Sequence, residues 1–363
     1  MSLKCHSILL LLLVTHQSQA MTFTINNASS PLTNAGNDLV VKTAVFSMAT
    51  QLQNQVNNSV LIPESSFQTT LTAFSNASVA SSNGLGVMYE GGVKKVSLGI
   101  GVGGGASGSF NSFSRLGAIQ ANQLPDVGGG AQVSAILGLS AAGMGWKIGR
   151  LDPKRLNVFF NAMYLYHPNL YNVALRIANL GAHVQYHIHA PARENLLFHW
   201  DGISFTTGLR YMYQDAAYST AMTISQSDAA SQSTMSWRAN YNLGVHSNVF
   251  TVPIEVTSNF DFLETFGFVL GAGADLSLGG AATYGGASGP IQSNSTLPGL
   301  TSSTIYTGTG VLDAGSNTYA PSLGVMKALV GVHFKLWAVR FSVQGMANTA
   351  SAYSAYSGLH LVI

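Results

Sequence analysis

The chain has 363 residues, only 8 % of them charged, and a formal net charge of +2. A soluble domain carries roughly 25 % charged residues, and a chain this poor in charge has little to keep it from associating in water. There is no basic block for a nucleic-acid surface and no acidic tail, which excludes a nucleic-acid partner.

Residues 1–20 read as an export signal. Lys4 supplies the positive start, Ile8 to Val14 form an apolar run too short to span a bilayer, and Ser18-Gln19-Ala20 place small residues at a cleavage site. Cleavage is expected between Ala20 and Met21. The single cysteine, Cys5, falls inside this segment. The mature chain is therefore expected to form no disulfide and to use no thiolate.

Residues 21–84 form a segment of their own. Leu39, Val40, Ala44, Val45, Met48, Leu52 and Val56 recur at three- and four-residue spacing, an amphipathic helix that Asn37 or Asp38 caps and Pro63 ends. A weaker helical pattern covers Ser66 to Ala77 through Phe67, Leu71 and Phe74. These helices are read either as ordinary surface helices or as a plug, periplasmic or inserted in a lumen.

Over residues 85–363 the period becomes two. Apolar residues alternate with small or polar ones in runs such as Val96–Val102, Leu156–Tyr166, Leu180–Ile188, Ile203–Tyr211, Phe266–Leu278 and Trp337–Val343. Soluble sandwich strands run about 5–6 residues. Runs of about 9–14 fit strands that cross a bilayer at a tilt. Tyr164, Tyr166, Tyr211, Tyr213, Trp237 and Trp337 are read as aromatic girdles. The fold class is then all-β: an antiparallel transmembrane barrel of about 10–14 strands, with 12 as the centre, behind a small helical plug. One workable register has about ten strands, with the long linkers 105–130, 214–234 and 280–322 all on one side. Residues 235–247 either continue the next strand through a bulge or add a hairpin.

The polar phase of these runs gives the lumen-facing candidates: His183, Gln185, His187, His189, Arg210, Arg238, Glu255, Asp275 and Arg340. Opposed charges there, Lys335 among them, either set pore selectivity or close the channel as salt bridges. His183, His187 and His189 share one face at a spacing that suits a divalent metal, but packing as hydrogen-bonded lumen filler is the preferred reading, and no metal or cofactor is expected. The glycines of 99–105 lie in a strand with no helix after them, so they are read as relief for a close approach, not a phosphate loop. No serine elbow and no HExxH occurs, so no enzyme is expected.

The last residues carry a resemblance. Tyr356, Gly358, Leu359, Leu361 and Ile363 resemble the C-terminal signal of bacterial outer-membrane barrels, with Ile363 in place of the usual terminal Phe or Trp. The resemblance implies a place in the outer membrane, contact with its lipids and recognition by the barrel-assembly machinery. The N-terminal helices resemble the hatch of the long-chain fatty-acid transporter family, although an Asn-Pro-Ala-Gly signature is absent near Asn83-Gly84-Leu85-Gly86. There is also a general similarity to surface barrels of spirochaetes. The expected function is a passive channel or carrier for a small or hydrophobic solute. The alternative is a structural or adhesive surface barrel, a surface antigen with a closed lumen and long outer loops that contact a host or partner.

Overall fold

The computed structural model describes residues 22–26, 47–56, 64–83, 87–89, 93–114, 126–146, 149, 151–170, 172–189, 197–228, 233–263, 265–295, 304–313 and 318–363. The expected export signal, with Ala20 and Met21, lies outside them, as does the first part of the first expected helix.

Two-residue alternation becomes a closed antiparallel ring. Its strands are β2 (Val96–Ser107), β3 (Gly128–Ser140), β4 (Leu156–Leu170), β5 (Val173–His189), β6 (Phe198–Asp228), β7 (Ser233–Phe262), β8 (Phe266–Ser295), β11 (Gly324–Leu336), β12 (Val339–Asn348) and β13 (Ala352–Val362). Each pairs with the next in that order, and β13 returns to β2. Among the described residues the ring thus has ten strands, the low end of the expected range and not its centre of 12. The difference comes from residues 235–247. They add no hairpin and form no bulge: β7 runs unbroken through them, in one continuous ladder phase with β8.

Side chains sort by parity. On β2, Leu98, Ile100 and Val102 point outward and are about half exposed, while Ser97 is fully buried inside. On β11, Met326, Val330, Val332 and Phe334 point outward, and Val325, Lys327, Leu329 and His333 point in. The outside is an apolar band, as a hydrocarbon-facing surface requires. Aromatic side chains mark its two ends. Phe262, Phe266, Phe334 and Phe341 lie exposed towards the near end, where the chain terminates, and Tyr164 and Tyr166 lie exposed towards the far end. Trp337 sits in the two-residue turn between β11 and β12 and is 97 % exposed. No described helix is long and apolar enough to cross a membrane; crossing is the work of strands.

Three strands outgrow the ring. β6, β7 and β8 have 31, 30 and 30 residues, whereas about 9–11 cross a bilayer. Their far halves continue beyond the band as a sheet, extended by β9 (Thr304–Asp313) on β8 and β1 (Thr22–Asn26) on β9, with the short β10 (Thr318–Tyr319) also on β8. The linkers 214–234 and 280–322, expected as loops, are thus largely strand. Helix α1 (47–56) lies on this sheet. Its Met48, Leu52 and Val56, one turn apart, are fully buried with Phe23, Met235, Trp237, Ile291 and Leu312. Trp237 is therefore not a girdle residue. It lies 4.7 Å from Phe23, ring centre to ring centre, in the core of the extension.

Candidate functional site

Helix α2 (Glu64–Ser81) and the chain after it occupy the lumen. The reason is a match of small residues. Ala73, Ala77 and Ser81 recur every fourth position and so share one face of the helix. That face lies on glycines of β2 and β3. A Cβ on Gly128 would come within 2.3 Å of the Ala73 backbone, and one on Gly105 within 2.7 Å of the Ala77 carbonyl oxygen. Gly103 and Gly105 of the β2 run thus serve a close helix approach, while Gly99 makes room for the His360 ring of β13. Elsewhere α2 packs Phe67 and Leu71 against Ala281, donates from Ser75 to the Tyr319 carbonyl at 2.9 Å, and accepts at Ser78 from Gln214 at 3.0 Å. Helix α3 (Phe110–Ser114) is a single short turn after β2.

Beyond α2, Val87, Met88, Tyr89 and Val93 pack with Phe159, Val269, Leu329, Met346 and Val362 from the wall. The gap left between Tyr89, Leu329, Gln344, Met346 and Tyr356 has a volume of about 10 Å³, roughly one water. Among the described residues the lumen at this level is packed with side chains.

At the level where α2 ends, the wall carries a charge cluster from four consecutive strands. Arg210 of β6 donates to Glu255 of β7 at 2.9 Å. Lys327 of β11 donates to Asp275 of β8 at 2.7 Å and also to Glu255. All four are buried, and the two cations balance the two anions. The inserted segment completes the cluster. Asn83 accepts from Lys327 at 2.7 Å and from Arg210, and the Tyr89 hydroxyl donates to Glu255. Within a lumen of low dielectric such charge-assisted bonds are the strong ones. They join plug to wall without a covalent link.

A second polar group lies at the near end. Asp261 accepts from His333 at 2.6 Å and from Lys335, and His199 pairs with Asp201 at 2.9 Å.

The sequence-derived candidates fall into three places. Arg210, Glu255 and Asp275 meet in the cluster. His183 and Gln185 are buried on the inner face of β5, His183 beside Gly181 and Gly208 with neither ring nitrogen bonded. His187 bonds Asn157 at 3.0 Å and Ser204 at 2.8 Å, and a register shift separates it from His189, whose side chain lies outside the described residues. Among the described side chains, His187 is thus held by Asn157 and Ser204 and makes no bond to His183. Arg340 is half-buried near Met88. Arg238 needs correction. It lies on the extension beyond the ring, exposed on the face opposite Trp237, because β7 continues past the barrel there. Lys327, Asn83 and Tyr89 were missed. The inward parity of Lys327 within β11 was the available signal; Asn83 and Tyr89 sit in irregular chain with no period to read.

β13 closes the ring. Leu359, Leu361 and Ile363 face outward, and Tyr356 and His360 face inward. The Tyr356 ring covers Gly358, where a Cβ would come within 2.1 Å of the tyrosine oxygen. This is the spacing from aromatic to glycine seen in the C-terminal motif.

Comparison with solved structures gives the Ralstonia pickettii toluene transporter TbuX at 7 % identity, covering 81 % of this chain and 99 % of that one, with a TM-score of 0.24. A Pseudomonas aeruginosa FadL homologue has 8 % identity, with coverage of 80 % and 97 % and a TM-score of 0.24. The translocator domain of the autotransporter NalP from Neisseria meningitidis has 12 % identity, with coverage of 74 % and 88 % and a TM-score of 0.26. Among curated proteins nothing matches. The architecture is that of an outer-membrane β-barrel, and the match of residues 28–363 makes the chain a member of the Lsa36-like family.

Proposed function

We propose that the protein resides in a bacterial outer membrane and works there as a plugged carrier for hydrophobic solutes, not as an open pore. The observation that supports this reading is the cluster of Arg210, Glu255, Asp275 and Lys327 closed by Asn83 and Tyr89. Replacing buried ion pairs by well-packed apolar residues is often neutral or stabilising. A lumen that only had to stay shut would gain nothing from four charges at its centre. A boundary that opens and closes needs groups that can exchange partners. Export through residues 1–20, with cleavage between Ala20 and Met21, belongs to the same proposal. So does recognition of Tyr356, Gly358, Leu359, Leu361 and Ile363 by the barrel-assembly machinery.

The test is refolding into planar bilayers and into dye-reporting vesicles. The wild type is expected to give no steady conductance yet to speed transfer of a hydrophobic dye. Steady open-pore current from the wild type would overturn the plug reading. No dye transfer would overturn the carrier reading.

A second reading has its own observation. The sheet of β6, β7, β8, β9 and β1 stands beyond the apolar band, with α1 on one face and a polar face bearing Arg238, Asn240, Asn242 and Ser288 on the other. That face suits contact with a host or partner molecule, the role of a surface barrel. Binding that survives deletion of the plug but not of the extension would favour it.

A further inference from the structure

On the outside of the barrel the passage from hydrocarbon to water can be followed residue by residue along β7. Its outward positions ascend through Ile254, Val252 and Phe250, all exposed and apolar, to Asn248, His246, Gly244, Asn242 and Asn240. Gly244 lies six residues beyond Phe250. At about 3.4 Å per residue and a tilt near 45°, that is roughly 14 Å above the last apolar side chain. Phospholipid head groups add only about 5–8 Å to each side of the hydrocarbon. Outward residues around Gly244 therefore stand higher than such head groups reach.

An aromatic platform is built at this height. Tyr284 of β8 pairs with Gly244 of β7 and its ring lies across the glycine, where a Cβ would come within 2.2 Å of the tyrosine Cζ. The ring reaches over β7 towards β6, and its hydroxyl donates to Asp215 at 2.5 Å. The His246 ring is centred 5.7 Å away. A tyrosine that only covered a glycine would need no carboxylate. This one is held at both ends, half-buried, with one face on the sheet and the other turned outward. The same row continues round the wall. Asp215 pairs with Arg176 of β5, and Arg176 with Tyr166 of β4, so all three share the outward face. Asp215 is buried beneath the Tyr284 hydroxyl, whereas Arg176 is exposed and lies over the Tyr166 ring at 5.2 Å. The charge that the row presents outward is thus the guanidinium. Just above, Ser219 donates to Asn242 at 3.3 Å, and Asn240 follows, so hydroxyl and amide groups border the platform.

We propose that this row binds the phosphorylated oligosaccharide of a glycolipid in the outer leaflet beside the barrel, with one sugar ring on Tyr284 and a phosphate on Arg176. The C–H face of a sugar is apolar and buries well against an aromatic ring, and a guanidinium matches phosphate. β5 and β8 are three strand spacings apart, roughly 14 Å, so the ligand is an oligosaccharide and not a single sugar. The height of Tyr284 argues against a phospholipid. The site opens sideways, directly above the lipid face, so a ligand anchored in the leaflet is already next to it. The inference rests on the proposed outer-membrane location and is independent of the carrier reading.

The test is native mass spectrometry of the refolded full chain released from phosphatidylcholine nanodiscs that contain rough lipopolysaccharide, a glycolipid with a short phosphorylated core. The glycolipid is expected to stay bound at about tenfold lower mole fraction than phosphatidylglycerol, an anionic lipid without a sugar ring. Tyr284→Leu is expected to remove that difference. Arg176→Gln is expected to weaken retention severalfold, and only while the glycolipid keeps its phosphates. Should Tyr284→Leu fail to show heat-modifiable migration, Arg176→Gln, at an exposed position, carries the test; Phe334→Leu, exposed at the near end, is the control expected to change nothing. Equal retention of phosphatidylglycerol overturns the sugar. Retention unchanged in both variants overturns the place. Equally strong binding of the free core oligosaccharide, without acyl chains, overturns the membrane source in favour of a soluble glycan. Retention in nanodiscs by a protein that fractionates away from the outer membrane leaves the site standing and removes the location; an outer-membrane protein that retains no glycolipid does the reverse.

Discussion

Tyr89 donates its hydroxyl hydrogen to Glu255, a carboxylate 166 residues further along the chain and on the opposite side of the boundary between plug and wall. Removing that hydroxyl removes a hydrogen bond to a charged group, worth about 1.5–3 kcal/mol. Tyr89→Phe is expected to leave the ring folded, with normal heat-modifiable gel migration, while a label on the 87–89 segment becomes more mobile by electron paramagnetic resonance. Unchanged mobility would deny this bond its tethering role.

Lys327 is the cation shared by Glu255 and Asp275. Lys327→Met leaves a buried carboxylate excess and is expected to cost about 3–5 kcal/mol, read as an earlier urea midpoint by tryptophan fluorescence. Adding Asp275→Leu restores the balance, since Arg210 still pairs with Glu255. The double variant is therefore expected to regain most of the loss. A double variant that is the sum of two losses would contradict the balance described here.

Gly128 has no room for a side chain, because the Ala73 backbone fills the place of its Cβ. Gly128→Val is expected to unseat α2 from β3 without breaking the β2–β3 ladder. Planar-bilayer recording should then show current where the wild type is silent. The same substitution at Gly129, whose Cβ position is open, is expected to leave the barrel silent.

Trp237 is completely buried between α1, β1 and β9. Trp237→Ala is expected to destabilise that layer by about 3–5 kcal/mol. The effect is expected to stay in the extension, whose sheet continues the far halves of β6, β7 and β8 beyond the ring. Limited proteolysis should cut near α1, while the ring keeps its resistance and its heat-modifiable migration. Loss of the whole barrel would show that the extension and ring fold as one cooperative unit.

Tyr284 stands on the extension above the band and donates to Asp215 at 2.5 Å. Burial, and then the Asp215 carboxylate, raise its phenol well above the usual tyrosine range. A raised value means that the folded state holds the proton more tightly than the unfolded one. The contribution is complete below the unfolded value of about 10 and falls as pH rises from there through the folded value. Absorbance titration at alkaline pH should contain a late-titrating phenol that Tyr284→Phe removes. The stability gap between wild type and variant should narrow above about pH 10.

The barrel was legible because its lipid face repeats. Leu98, Ile100 and Val102, or Val330, Val332 and Phe334, declare their phase against small and polar neighbours, and parity then fixes which charges point inward. This worked for Arg210, Glu255 and Asp275. It failed for Arg238, because on the extension the apolar phase packs under α1 and the polar phase is the outward one, the phase of Phe250, Val252 and Ile254 further along β7. The ten described ring strands fall within the expected 10–14 but below its centre of 12: alternation at 235–247 is real, and only the ladder partners reveal that it belongs to a strand already counted. The plug partners were beyond reach. Asn83 and Tyr89 lie in irregular chain, where position comes from tertiary contact alone.

The glycine panel of β2 has a consequence for how the ring can be made. Gly99, Gly101, Gly103 and Gly105 offer no bulk to the interior, and β2 is one side of the seam that the last strand must zip. A ring shut without α2 would leave a gap at the Gly103–Gly105 end of that seam, while at Gly99 the His360 ring of the last strand already fills the place. The surface that seats the helix and the surface that seals that end of the seam are thus one.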